Sequence, residues 1–308
     1  MNQLKKKNQS KLKWLWISLL LVFVSVAITG TYLYTVYNTL KTTVNETSHE
    51  TIEAIDTEVT KNKVENRESL NVLLLGVDER KGDSGRSDTM IVMTMDPTHS
   101  RLQMVSIPRD TRTEIIGKGV DDKINHAYAF GGSEMSVATV ENFLDIDLDY
   151  YIRVNMEGLE QLVDAVGGVT VNNAFDFKQE GHTFTKGRQT LDGKQALSYV
   201  RMRKQDPEGD VGRNERQRQV IQAVLDNGAT LTSLTKIHKL IEILGGNMIT
   251  NMKFSDMENL MSNYRNVRED TSTYQVTGQG KFIDDIWYLM VSEEEILKIK
   301  TMITEYGG

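Results

Sequence analysis

One stretch of the chain has no polar–apolar alternation at all. Residues 14–37, WLWISLLLVFVSVAITGTYLYTVY, carry no charge. About 20 apolar residues span a bilayer as a helix. Trp14, Trp16, Tyr34 and Tyr37 stand near the ends of the run, where aromatic rings settle at a membrane interface. A cleaved signal peptide is the competing reading. The run exceeds the usual signal core, however, and no A-x-A site follows it. Further on, short apolar runs at 71–76, 90–96 and 101–107 read as buried strands, the last two forming a hairpin about the DPTHS turn. Residues 133–145 have helical spacing with Ser133 as a candidate cap. Residues 150–172 read as strand, helix and strand, the helix ending at a glycine pair. Helical patterns follow at about 213–229, 234–244, 255–267 and 292–306, with late strands at 273–278 and 287–291. The class is α/β: a central, mostly buried β-sheet flanked by helices and preceded by one transmembrane helix.

This patterning divides the chain into a basic tail (1–13), the membrane helix (14–37), a stalk (38–68) and a folded domain (69–308). The tail holds Lys5, Lys6, Lys7, Lys11 and Lys13 and no acid. Lysines before a span stay cytoplasmic, so the expected topology is single-pass type II in the cell membrane, with the domain outside. The stalk is rich in Thr, Glu, Lys and Asn. Ile52, Ile55 and Val59 form a weak helical stripe there, but a solvated linker is the simpler reading. The absence of cysteine excludes disulfides and thiolate metal sites.

Charge changes the picture at one place. The net charge is −7, yet residues 199–220 gather Arg201, Arg203, Lys204, Arg213, Arg216 and Arg218. The domain around them is acidic, unlike a general nucleic-acid surface. Arg213, Arg216, Gln217 and Val220 fall at i, i+3, i+4 and i+7, one face of a helix. Arg218 points elsewhere and is read as a solvated charge that at most pairs with an acid. Arginines at a helix N-terminus oppose the dipole, which is costly unless an anion binds there. A solvated basic face is the alternative.

A polar loop between the first two strands holds Asp78, Glu79, Arg80, Asp83, Arg86 and Asp88. Ligands in open α/β sheets bind at such strand ends. Two aspartates in one loop suit a hard cation such as Mg2+, and the arginines beside them suit an anion bridging to it. Taken alone, the loop also reads as a solvated turn with local salt bridges. Arg109, in SIPRDT, ends a further strand after Pro108. Met90, Met93 and Phe143 read as ordinary core rather than as the lining of a lipid tunnel. His126 reads as a packed or hydrogen-bonded residue.

The segments LLLGVDER, GRSDTM, VSIPRDT, DKINHAYAFGG, VDAVGGVTV, ALSYVRMRK and GDVGRNERQRQVI resemble, in order, the LytR–CpsA–Psr family of Gram-positive cell-wall proteins. The resemblance covers about 71–223 with no departure at the motif positions. It implies transfer of a glycopolymer, such as wall teichoic acid, from a polyprenyl pyrophosphate carrier to the muramic acid 6-hydroxyl of peptidoglycan, assisted by magnesium. It also implies that Asp78 and Asp88 hold the metal. Arg86, Arg109, Arg201, Arg203 and Arg213 would grip the pyrophosphate beside Gln217, with Arg80 and Arg216 as helpers. Arg86, Arg109 and Asp88 form the implied catalytic set, and Asp88 and Asp110 are the carboxylates available as a base. Two other classes fit the same residues: a pyrophosphatase acting on the carrier lipid, and a non-enzymatic wall-polymer receptor or regulator. The expected topology places the arginines away from nucleic acid.

Overall fold

The computed structural model describes residues 2–79, 85–228, 243 and 245–306, with side chains from residue 14 onward. In it the uncharged run lies inside one helix, α1 (Asn2–Thr42). From Trp14 to Ser48 the chain is long and apolar enough to cross a membrane, and Trp16, Phe23 and Tyr34 are exposed.

The stalk is not a solvated linker. A π-helical segment (Thr43–Ser48) follows α1, and His49 pairs with Thr250 in an isolated bridge. Ile52 and Ile55 then enter the apolar cluster of Leu73, Leu75 and Val92, while Val59 remains exposed. Helix α2 (Thr57–Asn66) starts at Asp56, whose carboxylate accepts the backbone N–H groups of Glu58 and Val59 at 3.0 and 3.1 Å. It buries Thr60 and Val64. The polar composition of 38–68 concealed these few anchors, and the folded unit begins before residue 69.

Strands β1 (Leu70–Val77), β2 (Ser87–Asp96) and β3 (Arg101–Ser106) form an antiparallel meander, as the apolar runs predict. A small hairpin, β4 (Arg112–Ile115) and β5 (Val120–Lys123), leads to helix α3 (His126–Leu144). This helix starts before the predicted Ser133 cap and breaks at Gly131 and Gly132. Strand β6 (Tyr150–Asn155) then pairs parallel to β1.

The expected strand–helix–strand order continues through α4 (Met156–Ala165) and β7 (Val169–Asn173). However, β7 does not return to the main sheet. It pairs antiparallel with β10 (Gly187–Leu191), and β8 (Phe177–Gln179) with β9 (His182–Phe184) makes a second ribbon between them. Their apolar cluster includes Val163, Phe177, Phe184, Tyr199 and Val220, which belongs to this lobe rather than to the main core. Helix α5 (Gly193–Arg201) begins with a capping box of Asp192 and Gln195, and α6 (Asp210–Gly228) follows it. The predicted helix at 234–244 lies outside the described residues except for Ile243.

The chain returns to the sheet with β11 (Met248–Thr250), antiparallel to β6, and, after α7 (Phe254–Asn263), with β12 (Asp270–Gln275), parallel to β3. The hairpin β13 (Gln279–Ile283) and β14 (Ile286–Met290) and helix α8 (Glu293–Tyr306) complete the described residues. The main sheet therefore has the order β11-β6-β1-β2-β3-β12. Because β1, β3, β6 and β12 run the same way, their C-terminal ends share one end of the sheet. Side chains alternate as a doubly covered sheet requires. Leu73, Leu75 and Val77 face α3 and α8, whereas Val72 packs with Ile91, Leu102 and Met104 toward Met252 and Tyr264.

A chain cut to begin at residue 69 should lose the Ile52 and Ile55 contacts and unfold at a lower temperature than one beginning at residue 43. Each buried isoleucine truncated to alanine should cost about 2–5 kcal/mol. Calorimetry of the two truncations and of Ile55→Ala checks this, and equal melting temperatures would restore the linker reading.

Candidate functional site

Helix α6 lies against one face of the sheet and leaves a cavity of about 440 Å³ beneath it. Arg213, Gln217, Val220, Ile221, Val224 and Leu225 line this cavity. Their spacing is i, i+4, i+7, i+8, i+11 and i+12, a single stripe of one helix. The stripe begins with a cation and an amide and ends in aliphatic groups, over about 18 Å at 1.5 Å per residue. The opposite wall shows the same gradient. Leu74, Met93 and Ile152 line its aliphatic part, and Asp78 and Asp88 line its charged end. That end lies where β1 and β6 finish and α6 begins, so strand termini and a helix N-terminus converge on it.

The charges there are interlocked. Arg109 Nη1 donates to Asp88 Oδ1 at 2.6 Å, and its Nε lies 3.7 Å from both Asp110 and Asp210. Asp210 also takes Arg203 Nε at 3.1 Å and Arg213 Nη2 at 3.2 Å. Burial alone would lower the pKa of Arg109, but its bond to Asp88 and the charges of Asp88, Asp210 and Asp110 raise it above the usual arginine value. Arg213 is shifted the other way. Burial, together with repulsion from Arg109 and Arg203, outweighs the attraction of Asp210 and Asp88 and lowers its pKa. The Nε–H groups of Arg109 and Arg213 are both buried without a hydrogen-bond acceptor. Such buried donors are costly to leave unmade.

The other predicted residues separate into two groups. Arg201 lines the cavity from the end of α5, 3.6 Å from Glu180, and Gln217 lines it from α6. Arg203 is half-exposed on the Asp210 carboxylate. Arg86 is exposed beside the site, its carbonyl accepting the Asp78 N–H at 3.2 Å. Gly85 allows this closure, since its φ is +70° and a Cβ would stand 2.7 Å from the Asp78 carbonyl oxygen. Arg80 lies outside the described residues. Asp110 is held by Lys123 at 2.6 Å, and His126 by Asp122 at 2.8 Å. Met90 and Phe143 are core, but Met93, also read as core, lines the cavity.

Arg216 and Arg218 do not join the site. Arg216 is buried on the other side of α6, donating to the carbonyls of Tyr199 and Met202 and to Asp206. Arg218, read as a solvated charge, is only 6% exposed. It donates to Ser106 Oγ at 2.8 Å and pairs with Glu215, tying α6 to β3. Helical spacing located both side chains around the axis but not the elements packed there. Two participants were missed. Asp210, three residues before Arg213, carries no site signal in the sequence, because a lone acid at a helix start is ordinary. Glu180 comes from a ribbon distant in sequence and gave no local signal.

Cationic donors at one end and an aliphatic body behind them define a site for an anionic amphiphile. The chain belongs to the LytR_cpsA_psr family, which matches residues 32–305. It is 44% identical over 305 residues to the polyisoprenyl-teichoic acid–peptidoglycan teichoic acid transferase TagU of Bacillus licheniformis, covering 99% of each chain. The crystal structure of B. subtilis TagU superposes with a TM-score of 0.64 at 44% identity, covering 78% of this chain and 97% of that one. A structure of TagT bound to LIIa-WTA gives 0.68 at 30% identity, with coverage of 85% and 97%. The family and the α/β class expected from the motifs are both borne out.

The three arginines of α6 should respond differently to truncation. Arg216→Ala should cost about 3–5 kcal/mol by stranding the buried Asp206, and Arg218→Ala about 1–3 kcal/mol. Arg213→Ala should leave the melting temperature nearly unchanged, because Asp210 keeps Arg203 and Arg109, yet should weaken binding of a polyprenyl pyrophosphate. Thermal melts beside lipid titrations test this. A loss of stability in Arg213→Ala equal to that in Arg216→Ala would make all three structural.

Proposed function

We propose that this protein transfers a glycopolymer of the wall teichoic acid type from a polyprenyl pyrophosphate carrier to peptidoglycan. The observation that carries the reading is the charged head of an aliphatic cavity, lined by Arg201, Arg213 and Gln217 together with Asp78 and Asp88, with Arg109 bonded to Asp88. A pyrophosphate matches the donors and a prenyl chain matches the cavity. The relatives named for this transfer add support. Arg201 lines the same head, while Arg203 and Arg86 extend the cationic rim outward. An acceptor hydroxyl attacks the sugar-side phosphorus, forming a P–O bond as the bond to the bridging oxygen breaks and polyprenyl phosphate leaves. Charge grows on the phosphoryl oxygens and the leaving phosphate, where pre-positioned guanidinium groups are most effective. Of the two carboxylates considered as base, Asp88 lines the cavity and Asp110 does not, which favours Asp88 as the acceptor of the hydroxyl proton.

Magnesium suits this donor set. No group of three or more metal-ligating side chains occurs among the described residues, but Asp78 and Asp88 share the charged end of the cavity. Magnesium is commonly held by one or two carboxylates together with phosphate oxygens. When bound there it would neutralise phosphate charge.

The topology we propose is type II. The lysines before Trp14 hold the N-terminus in the cytoplasm, with the site outside. The cavity is oriented to suit. Ile152, in its aliphatic part, pairs with Thr250, which pairs with His49 just beyond α1.

Purified full-length protein should join donor to peptidoglycan only when both are present. Asp78→Ala and Asp88→Ala should each abolish magnesium-dependent product formation, Asp78→Ala with little change in the melt and Asp88→Ala with some loss of stability, because Arg109 then lacks its 2.6 Å partner. Donor cleavage that ignores peptidoglycan would establish the pyrophosphatase reading instead. In cells, an epitope after Gly308 should be cleaved by protease added to intact protoplasts, and protection would reverse the topology.

A further inference from the structure

The hairpin β13–β14 is unusual in what it shows to solvent. Phe282, Ile286 and Trp287 are 71%, 47% and 40% exposed. Phe282 and Trp287 are direct cross-strand partners, so both rings belong to one face of the ribbon. A Cβ on Gly280 would lie 2.9 Å from Trp287 Nε1, so the indole rests on bare glycine backbone. The turn is fixed by Asp284 and Asp285, at φ +47° and +63°, the backbone of a tight primed turn that holds strands in register.

The β14 edge of the ribbon leads toward the phosphate site. The Leu289 N–H donates to the Asp110 carbonyl at 2.9 Å, next to Arg109, and Leu289 bridges to Thr111. Tyr288 OH donates to Asp122 at 3.3 Å, and its ring stands 5.8 Å from Lys123 Nζ, which holds Asp110. The aromatic face is thereby tied to the backbone that carries Arg109.

We propose that Phe282 and Trp287 form a platform for the sugar rings of the acceptor glycan strand, a role that rests on the transferase reading above. Flat aromatic faces pack against the apolar C–H faces of pyranose rings, and rigid rings add contact area at low entropic cost. Three observations favour this occupant. The hairpin follows β12 at the C-terminal end of the sheet, where the charged residues gather, whereas His49 pairs with Thr250 opposite Ile152, in the aliphatic part of the cavity. Asp284 and Asp285 at the tip repel anionic headgroups and the polyanionic donor polymer alike. The sugar backbone of a glycan strand carries no phosphate. A strand held on these rings is held by a ribbon whose backbone is bonded to Asp110, the neighbour of Arg109.

The test uses the full chain in detergent and peptidoglycan sacculi stripped of teichoic acid. Phe282→Ala, Trp287→Ala and the double variant should bind sacculi on the order of tenfold more weakly, as loss of an aromatic anchor commonly does. Met261→Ala, which removes an exposed apolar side chain on α7, should bind as wild type does. In transfer assays the double variant should raise the KM for peptidoglycan more than it lowers kcat. Undiminished sacculus binding by the double variant overturns the platform, as does a loss matched by Met261→Ala. Dependence of vesicle binding, rather than sacculus binding, on the two rings also overturns it, in favour of a bilayer contact. The binding arm needs no turnover, so it is separable from failure of the transferase reading, which shows as absence of product from the wild type.

Discussion

The guanidinium of Arg216 holds together the two segments that build the site. It reaches from α6 to the last carbonyls of α5 and to Asp206 in the connection between them, with the rings of Phe177 and Tyr199 beside it at 5.7 and 5.9 Å. Asp206 can approach only because residue 212 is glycine. A Cβ there would fall 2.0 Å from its carboxylate oxygen. This clasp sets where α5 ends, and so where Arg201 and Arg203 emerge, and it sets how α6 presents Arg213. A charge that never touches the ligand thus decides the geometry of three that line or rim its site.

The site itself is held in electrostatic tension. Three guanidinium groups converge on Asp88 and Asp210, and the most buried of them, Arg213, faces two like charges. The carboxylates keep the cluster assembled, while the Nε–H groups of Arg109 and Arg213 stay buried without an acceptor. Full neutralisation by protein would make a more stable domain with a poorer affinity for phosphate. Preorganised donors are the larger part of how such sites act on developing charge.

Much of this was legible in the chain because its signals are local. The uncharged run, the β2–β3 hairpin and the stripe from Arg213 to Val220 each depend on residues close in sequence, where the periods of helix and strand apply. What escaped depends on long-range packing. Nothing near Arg218 announces that Ser106, more than a hundred residues earlier, lies within hydrogen-bond reach. Nothing near β7 shows that it will pair with β10 rather than rejoin β6. Ile52 and Ile55 are two apolar residues in a polar segment, and composition averages them away. Met93 illustrates the same limit, since buried core and cavity lining have identical hydropathy.

The docking of the stalk also bears on how the protein searches for its acceptor. With His49 paired to Thr250 and Ile52 and Ile55 seated in the core, little slack separates the membrane helix from the domain. An anchor of that kind acts as a mast rather than a tether. It holds the catalytic head at a nearly constant height and leaves it lateral diffusion and rotation about the helix axis. Encounters are then confined to a thin layer above the bilayer. On the proposed topology, the mesh of the wall must come within that layer.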